Sequence, residues 1–541
     1  MKTLLLFLLF LNFSAHCNEE TFSVEKQSGI SGFEIIQNKV PLFVNRHQNN
    51  LFEIKFSVHN SEPANLQKIK IHFSGKSDLM GVSGISAEIL PGENNLFAIA
   101  NQIGERTELA GNHTFQEGIY TIRFNFLAKE TANLLSTFSL EEIELNFKNE
   151  KPVKIIPDEN YKYRLAMVLR KQGQDNCDTY RIPGLITTNA GTLIAVYDNR
   201  YNNSKDLQED IDIGMSRSTD GGQTWEPMKV IMDMGEWGGR PQKLNGIGDP
   251  CILFDHKTNT LWVAALWLSG GSEKDMLWWA SKQGTKPEET GQFMLVKSTD
   301  DGLTWSEPVN ITSQIKNLEW QLLLQGPGRG ITMTDGTLVF PAQFKADIGE
   351  KALDGGQFTA HSTIVYSKDS GKTWHIGNGA KPNTTEAQVV ELIGGSLMLN
   401  MRDDLNRNDK SETNGRAVAT TKDFGKTWTV HPTSNSALQE PNCMASLIST
   451  EMEINGKMQQ VLFFSNPDSK TERSHITIKT STDAGLTWPG EYQVLLNTET
   501  GYGYSCMTMV DENTIGILYE GVKELYFQKI PVTDLLGDKA K

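Results

Sequence analysis

The chain has 541 residues, a length that indicates about three to four ordinary domains, or one large repetitive domain with a smaller one. Hydrophobic residues make up 38% and charged residues 22%, which is typical of a soluble globular protein and excludes disordered, collagen-like and multi-span membrane proteins. The formal net charge of −15 argues against nucleic acid and anionic membranes as partners, so an anionic ligand needs a local basic cluster.

The N-terminus has the order of a secretory signal peptide. Lys2 precedes an apolar run over residues 4–11, and small residues follow before Cys17. The apolar run is too short to cross a bilayer. We therefore predict a signal peptide at residues 1–17 and an exported protein, periplasmic, cell-surface or secreted, without an integral membrane span. Cys17 is either removed with the signal or becomes a lipidated first residue.

Residues 20–155 contain short runs in which apolar and polar residues alternate, as at Ile54, Phe56 and Val58. A period of two indicates half-buried antiparallel strands, so this region is predicted to be a β-sandwich. Pro152 and Pro157 mark the expected join to the next domain, because proline restricts strand pairing.

Four cysteines lie beyond the signal peptide and are far apart in the chain, at Cys177, Cys251, Cys443 and Cys506. They form no CxxC pair, so a zinc or redox motif is unsupported. They allow three disulfide connectivities, and buried free thiols are an equal alternative. The scattered histidines indicate no metal site.

One eight-residue pattern occurs five times in the second part of the chain. It has Ser or Thr first, Asp third, Gly fifth, Thr seventh and Trp last. The copies span residues 218–225, 298–305, 367–374, 421–428 and 481–488. Asp followed by Gly is turn chemistry, since the carboxylate accepts backbone N–H bonds and Gly adopts positive φ. We interpret the copies as scaffold, with each Trp packed between neighbouring sheets.

The five Asp residues are separated by 80, 69, 54 and 60 residues, which suits one four-stranded blade for each copy. The region 160–541 then has room for about six blades, with late strands closing the ring onto an early one. Closure leaves no open sheet edge. The predicted fold class is all-β, a six-bladed β-propeller preceded by a β-sandwich.

Tyr180, Arg181, Ile182 and Pro183 precede the first repeat and match the YRIP motif of sialidases. Together with the repeats, which correspond to Asp boxes, and further motifs in the same order, residues 165–530 resemble secreted bacterial exo-α-sialidases (neuraminidases) of the six-bladed propeller type. The resemblance implies a retaining glycosidase that needs no metal and no organic cofactor.

The resemblance assigns three arginines, Arg181, Arg402 and Arg473, to the substrate carboxylate. Sialic acid carries a carboxylate on its anomeric carbon, and planar guanidinium groups pair with carboxylates in fixed geometry. Three converging arginines would also form a positive site in an acidic protein.

The resemblance implies that Tyr504 is the nucleophile and Glu386 the base that activates it. A neutral phenol is not repelled by the substrate carboxylate, and with an ordinary pKa near 10 it needs an adjacent base. Tyr502 and Glu391 are neighbouring alternatives for these two positions.

Asp206 matches the acid/base of the family and lies on a loop 25 residues after the first arginine. It would protonate the leaving oxygen and later deprotonate water. Asp210 and Asp212 are competitors with a more structural position near the first repeat.

Three further residues match supporting positions. Arg200 and Asp249 would line the sialic acid pocket, and Glu520 would orient the first arginine. Trp267 and Trp320 could form aromatic walls, although core packing is the simpler interpretation.

The predicted function is therefore an exo-α-sialidase that removes terminal sialic acid from glycoproteins, glycolipids and oligosaccharides, acting as a monomer. The alternatives are a catalytically silent sialoglycan lectin and a trans-sialidase or anhydro-forming variant. By analogy with similar enzymes, the N-terminal domain is a possible carbohydrate-binding module, with a spacer or docking role as the alternative.

Overall fold

The computed structural model describes residues 29–59, 63–92, 95–157 and 161–539. The predicted signal peptide and the possible lipidation site at Cys17 lie outside these residues. The described chain is built mainly of β-strands, which confirms the predicted all-β class. No helix in the described ranges is both long and apolar enough to cross a membrane.

The strands of the N-terminal region are β1 (Ile30–Gln37), β2 (Leu42–Val44), β3 (Asn49–Val58), β4 (Ala64–Phe73), β5 (Val82–Leu90), β6 (Leu96–Ala100), β7 (Arg106–Phe115), β8 (Gly118–Ala128), β9 (Thr137–Phe138), β10 (Leu140–Phe147) and β11 (Val153–Ile155).

The next strands are β12 (Tyr163–Arg170), β13 (Thr179–Thr187), β14 (Leu193–Arg200), β15 (Ile211–Ser218), β16 (Lys229–Met232), β17 (Ile247–Asp255), β18 (Thr260–Trp267), β19 (Gln292–Ser298), β20 (Val309–Asn310), β21 (Leu322–Gln325), β22 (Gly328–Arg329), β23 (Ile331–Thr332), β24 (Leu338–Ala346), β25 (Thr359–Ser367) and β26 (His375–Ile376).

The last strands are β27 (Thr384–Glu391), β28 (Leu397–Asp403), β29 (Ala417–Thr421), β30 (Thr429–Val430), β31 (Ser446–Ile454), β32 (Lys457–Pro467), β33 (Ile476–Ser481), β34 (Gln493–Asn497), β35 (Ser505–Asp511), β36 (Thr514–Glu520) and β37 (Leu525–Pro531). Short α-helices lie at α1 (Leu277–Ala280), α2 (Thr312–Ile315) and α3 (Thr533–Leu536). Single 3-10 turns occur at Gln174–Asn176, Gln242–Leu244, Asp404–Arg407, Gly490–Tyr492 and Gly537–Lys539.

Two antiparallel sheets form the N-terminal region, with strand orders β1-β3-β8-β5-β6 and β11-β10-β4-β7. Their inner faces pack through aromatic side chains. Phe56 of the first sheet lies 5.2 Å from Phe115 and 6.3 Å from Phe147 of the second, measured between ring centroids. Buried residues largely alternate along β3 and β4, as the period-two pattern predicts.

The expected join between the two regions is more structured than the prolines suggested. Residues Val153–Ile155 form β11 and pair with β10. β2 and β9 both pair with β12, so the N-terminal region adds strands to the first sheet that follows it. The Tyr163 hydroxyl donates a 2.9 Å hydrogen bond to the Leu51 carbonyl, and its ring stacks on Phe138. The two regions therefore share one hydrophobic core.

Six more sheets follow in the described chain, with strand orders β13-β14-β15-β16, β20-β19-β18-β17-β22, β21-β24-β25-β26, β27-β28-β29-β30, β31-β32-β33-β34 and β2-β12-β37-β36-β35. The last sheet joins β12 to strands from the end of the chain. β13 contacts both β17 and β35, and β31 contacts both β27 and β35. The first strands of these sheets therefore surround a common centre.

The repeated octapeptides connect the third and fourth strands of five sheets. In the first copy, Asp220 accepts hydrogen bonds from the Thr224 backbone N–H and hydroxyl at 2.9 and 2.6 Å, and the Ser218 hydroxyl accepts from the Gly222 N–H at 2.9 Å. Gly222 has φ of +84°, which favours glycine. The same bonds recur in the other four copies.

The tryptophans of the repeats pack against other sheets. Trp225 contacts Phe527 of the sheet that closes the chain, and Trp374 contacts Trp262 of the preceding sheet. Trp267 is 3% exposed and packs on Trp237, which agrees with its interpretation as a core residue. Trp320 stacks on Phe344 at 3.9 Å.

The four cysteines of the described ranges are buried free thiols, so the alternative without disulfides applies.

Candidate active site

Three β-bulges change the direction of side chains near the common centre that the sheets surround. Arg181, Asp249 and Glu386 lie on the first strands of three sheets, and the pairing register shifts at or beside each one. Ile182 and Asp249 have positive φ, +57° and +58°, and each precedes a proline that cannot donate to the ladder. The bulges therefore direct polar side chains toward one end of the central space.

Tyr504 and Glu386 form a hydrogen-bonded pair with Arg402. The phenol donates to Glu386 Oε1. Arg402 Nη1 lies 2.6 Å from Glu386 Oε2 and 3.2 Å from the phenol oxygen. Burial, followed by the charge of Glu386, raises the pKa of Tyr504 well above its ordinary value, against the effect of nearby arginines. The resting nucleophile candidate is therefore a neutral phenol beside a base.

Glu520 connects two distant segments at this site. Its buried carboxylate accepts from Arg181 Nε at 3.1 Å and from the Ile182 N–H at 2.9 Å through Oε1. Oε2 accepts from the Tyr504 N–H at 2.9 Å. One carboxylate thus fixes the first arginine, the bulge beside it and the backbone of the phenol.

Arg473 completes the group of arginines around Tyr504. It donates to the Tyr502 carbonyl at 3.0 Å and to the Asn442 carbonyl at 3.2 Å. The guanidinium groups of Arg181 and Arg473 lie 5.1 and 5.6 Å from the centroid of the Tyr504 ring. Three arginines therefore approach the phenol from different segments.

Asp206 lies on the loop between β14 and β15 and faces two arginines. Its Oδ1 is 2.8 Å from Arg200 Nη1 and 3.4 Å from Arg181 Nη1. Desolvation acts to raise the pKa of Asp206, but the charges of Arg200 and Arg181 outweigh it and lower the pKa to about 2. The side chain remains 63% exposed, so solvent screens part of this interaction.

Asp249 and Arg200 meet through a residue that sequence reasoning missed, Asp198. Arg200 donates two bonds to Asp198 Oδ2, at 3.0 and 2.8 Å, and the Asp249 N–H donates to Asp198 Oδ1 at 2.8 Å. Burial, followed by the neighbouring Asp198, raises the pKa of Asp249, because two close carboxylates resist joint ionisation. Burial also raises the pKa of Asp198, to about 6, although the charge of Arg200 acts to lower it.

Asn442 is the second residue that the sequence did not reveal. Its Oδ1 accepts from Arg402 Nη2 at 2.9 Å, and its carbonyl accepts from Arg473. It has φ of +56° in the segment before β31. No motif marks Asn442, whereas Asp198 could have been found, because residues two apart on a strand share a face and Arg200 is a candidate.

The structure separates the competing residues. Glu391 lies at the far end of β27, where its carboxylate accepts from the Thr334 N–H at 2.7 Å. The Tyr502 carbonyl accepts a hydrogen bond from Arg473, and the Arg181 guanidinium lies over the Tyr502 ring. Asp212 accepts from the Tyr201 hydroxyl at 2.9 Å. In the described chain, neither Glu391 nor Tyr502 bonds to the phenol–carboxylate pair, and Asp212, unlike Asp206, pairs with neither Arg181 nor Arg200.

A buried phenol beside a carboxylate, surrounded by three arginines, can bind a carboxylate-bearing ligand next to a nucleophile. This combination is the one that the sequence resemblance implies for a glycoside hydrolase that acts on an acidic sugar.

Comparison with known proteins indicates the same class of enzyme. A family model described as a BNR repeat-like domain matches residues 182–499. The sialidase of Bacteroides fragilis strain YCH46 is 42% identical over 533 residues, covering 92% of this chain and 94% of the relative. The sialidase of Paraclostridium sordellii is 30% identical over 363 residues, covering 64% and 82%. The solved structure of the Hadza microbial sialidase Hz136 has a TM-score of 0.83 at 40% identity, covering 93% and 99%.

The chain belongs to the sialidase family. The predicted function of an exo-sialidase, and with it the enzyme class of glycoside hydrolase, is confirmed by these relatives.

The three bonds to Glu520 predict a positioning role that can be measured. Glu520→Gln removes the charge facing Arg181, and the amide nitrogen cannot accept a hydrogen bond. We expect kcat/KM for a fluorogenic sialoside to fall by about tenfold to hundredfold, the loss of one to two charge-assisted bonds. Glu524→Gln, at a carboxylate that pairs with Arg46 outside the site, is the control. Equal activity of the two variants would contradict the role.

Proposed function

We propose that the chain is an exported, retaining exo-α-sialidase that removes terminal sialic acid from glycoproteins, glycolipids and oligosaccharides. The observation that carries the proposal is the hydrogen bond from Tyr504 to Glu386 inside a group of three arginines. A lectin needs the arginines to bind the sugar carboxylate but gains nothing from a buried phenol–base pair.

The proposed scaffold is a six-bladed propeller over residues 160–541, preceded by a sandwich over residues 20–155. Six sheets whose first strands meet around a centre support the propeller. Pairing of β12 with β37 supports its closure by strands from both ends of the region. The two N-terminal sheets support a sandwich, which we propose as a carbohydrate-binding module.

The substrate carboxylate is proposed to bind the guanidinium groups of Arg181, Arg402 and Arg473. Glu520 holds one of these groups through Nε, and Asn442 accepts from Nη2 of Arg402. Such contacts already restrict the rotation of the arginine side chains in the free enzyme. Less conformational entropy is therefore lost when the ligand binds. The site is then preorganised for a planar, singly charged group.

Tyr504 is proposed to attack the anomeric carbon while Glu386 accepts the phenolic proton. The bond already present between them gives the proton its path. The proton leaves the phenol only as the new bond to carbon forms, so the nucleophile meets the substrate carboxylate as a neutral group. Arg402 touches both partners and stabilises the charge on Glu386 before transfer.

Asp206 is proposed to protonate the leaving oxygen. In the free enzyme it pairs with Arg200 and Arg181, which keeps it ionised. A substrate carboxylate on Arg181 neutralises that charge and adds a negative neighbour, and both changes raise the pKa of Asp206. Substrate binding would thus convert the carboxylate into an acid, and its exposed loop position allows it to move toward the sugar.

In the second half-reaction Asp206 is proposed to deprotonate water, which attacks the anomeric carbon and releases Tyr504. Two displacements at one carbon retain its configuration. Glu386 returns the proton to the phenol. Export, predicted from residues 1–17, places such an enzyme where sialylated glycans occur.

The stereochemical outcome tests the overall reaction. We expect proton NMR of α2,3-sialyllactose hydrolysis to show the α anomer of free sialic acid first, followed by slow mutarotation. Initial β anomer would contradict retention, and an anhydro sugar or a new sialoside would favour the variant chemistries. Binding without any product would favour the lectin.

The nucleophile is tested by two tyrosines two residues apart. Tyr504→Phe removes the group that bonds to Glu386, and we expect turnover of sialyllactose to fall by at least about 10³-fold, the range for groups that act as a unit. Tyr502→Phe keeps the carbonyl bonded to Arg473 and serves as the matched control, with near-normal turnover. A larger loss in Tyr502→Phe would reverse the assignment.

The acid role of Asp206 predicts a dependence on the leaving group. Asp206→Asn should lower kcat/KM for sialyllactose by about 10²–10⁴-fold, the usual contribution of acid–base catalysis. A 4-methylumbelliferyl sialoside needs little protonation of its leaving phenol, so its cleavage should fall far less. Asp210→Asn, on the same loop, is the control. Equal losses on the two substrates would argue that Asp206 only binds.

A further inference from the structure

A second cavity lies at the opposite end of the central strands. Its volume is about 850 Å³, and its lining includes Ile186 of β13, Phe254 of β17 and Glu391 of β27. Each of these residues is five positions after an active-site candidate on the same strand. At about 3.3 Å per residue, the distal cavity is roughly 15 Å from the active site.

Arg329 of β22 lines this distal cavity and lacks a counterion. Its Nη1 donates to the Met507 carbonyl at 3.2 Å and to the Thr508 hydroxyl at 3.4 Å. Its Nε is buried and has no hydrogen-bond partner among the described residues. Within the described chain, no carboxylate lies within ion-pair distance of it. A partly buried cation without a counterion is costly, and burial lowers the pKa of Arg329.

The titratable groups nearest to Arg329 are uncharged at neutral pH. Burial raises the pKa of the Cys506 thiol to about 11 and raises that of Cys251 as well. His256 lines the same cavity, and burial, followed by the charge of Arg329, lowers its pKa. The positive charge at the base of the cavity is therefore uncompensated by these neighbours.

Three acidic residues line the cavity without bonding to Arg329. Glu391 is occupied by Thr334, and Asp335 accepts from the Thr337 N–H at 2.8 Å. Asp335 and Glu451 are exposed to solvent. Their charges repel multiply charged anions at the opening, so a small, singly charged anion fits best.

We propose that the distal cavity binds a small, singly charged carboxylate on Nη2 of Arg329, a guanidinium nitrogen with no hydrogen-bond partner among the described residues, at a site separate from the catalytic one. A carboxylate supplies two acceptor oxygens to a planar guanidinium and the missing negative charge. The ligand is a small organic acid or the carboxylate of a sugar acid.

His256 gives a local readout that the catalytic arginines cannot imitate. Its imidazole signal is assigned in the ¹⁵N-histidine spectrum by its loss in His256→Gln, and acetate is titrated to saturation. Asp255, Asn189 and Arg329 are the polar or charged groups that face it. Acetate on Arg329 cancels the charge that depresses the pKa of His256. We therefore expect this pKa to rise with acetate.

Arg329→Gln should weaken this acetate response at least about tenfold, the factor for one charge-assisted pair. Thr450→Trp keeps Arg329 but fills the cavity from β31, so it should abolish the acetate response. This variant tests the site even if Arg329→Gln fails to fold. Arg46→Gln, at an arginine paired with Glu524, should leave it unchanged.

Three outcomes would overturn the proposal: no saturable response in the wild type, an unchanged response in Arg329→Gln, or an unchanged response in Thr450→Trp. Phosphate binding as tightly as acetate would refute the preference for a single charge. Tighter binding of N-acetylneuraminate than of acetate would support a sugar acid as the ligand, and the reverse would support a small organic acid.

Discussion

The buried carboxylate of Glu520 holds this active site together. A charge removed from water must find partners, and Glu520 finds them in Arg181, the Ile182 N–H and the Tyr504 N–H. These groups come from segments more than 300 residues apart in the chain. Pairing one charge therefore fixes the bulge, the first arginine and the backbone of the phenol in a single geometry. The remaining contacts of the site build on that arrangement.

Rigid and adjustable parts of the site have different supports. Glu386 and Arg402 lie on paired strands, where backbone hydrogen bonds and buried neighbours limit their movement. Asp206 lies on a loop, and its carboxylate is largely exposed and pairs with two arginines of the described chain. Groups that must keep a fixed position thus come from the sheets, and the group that must exchange protons comes from a loop.

The two positively charged sites of this acidic protein depend on where its carboxylates lie. At the catalytic site, Asp198, Glu386 and Glu520 each pair with an arginine. At the distal cavity, the hydrogen bonds of Arg329 within the described chain go to neutral acceptors, and the carboxylates that line the cavity do not pair with it. The net charge of −15 therefore describes the surface as a whole and does not describe either site.

The sequence alone determined the features whose interactions are local. Each octapeptide contains all the groups that form its turn: the carboxylate, the hydroxyl, the glycine and the tryptophan. The turn is therefore predictable from the sequence alone. The alternating strands and the residues of the YRIP motif were predicted from the sequence in the same way. Only the tertiary structure decided which phenol meets Glu386 and that Asp198 and Asn442 support the arginines. It also decided that Arg329 has no counterion among the described residues. Those facts depend on distances between segments brought together by strand pairing and core packing, and no short stretch of sequence contains both partners.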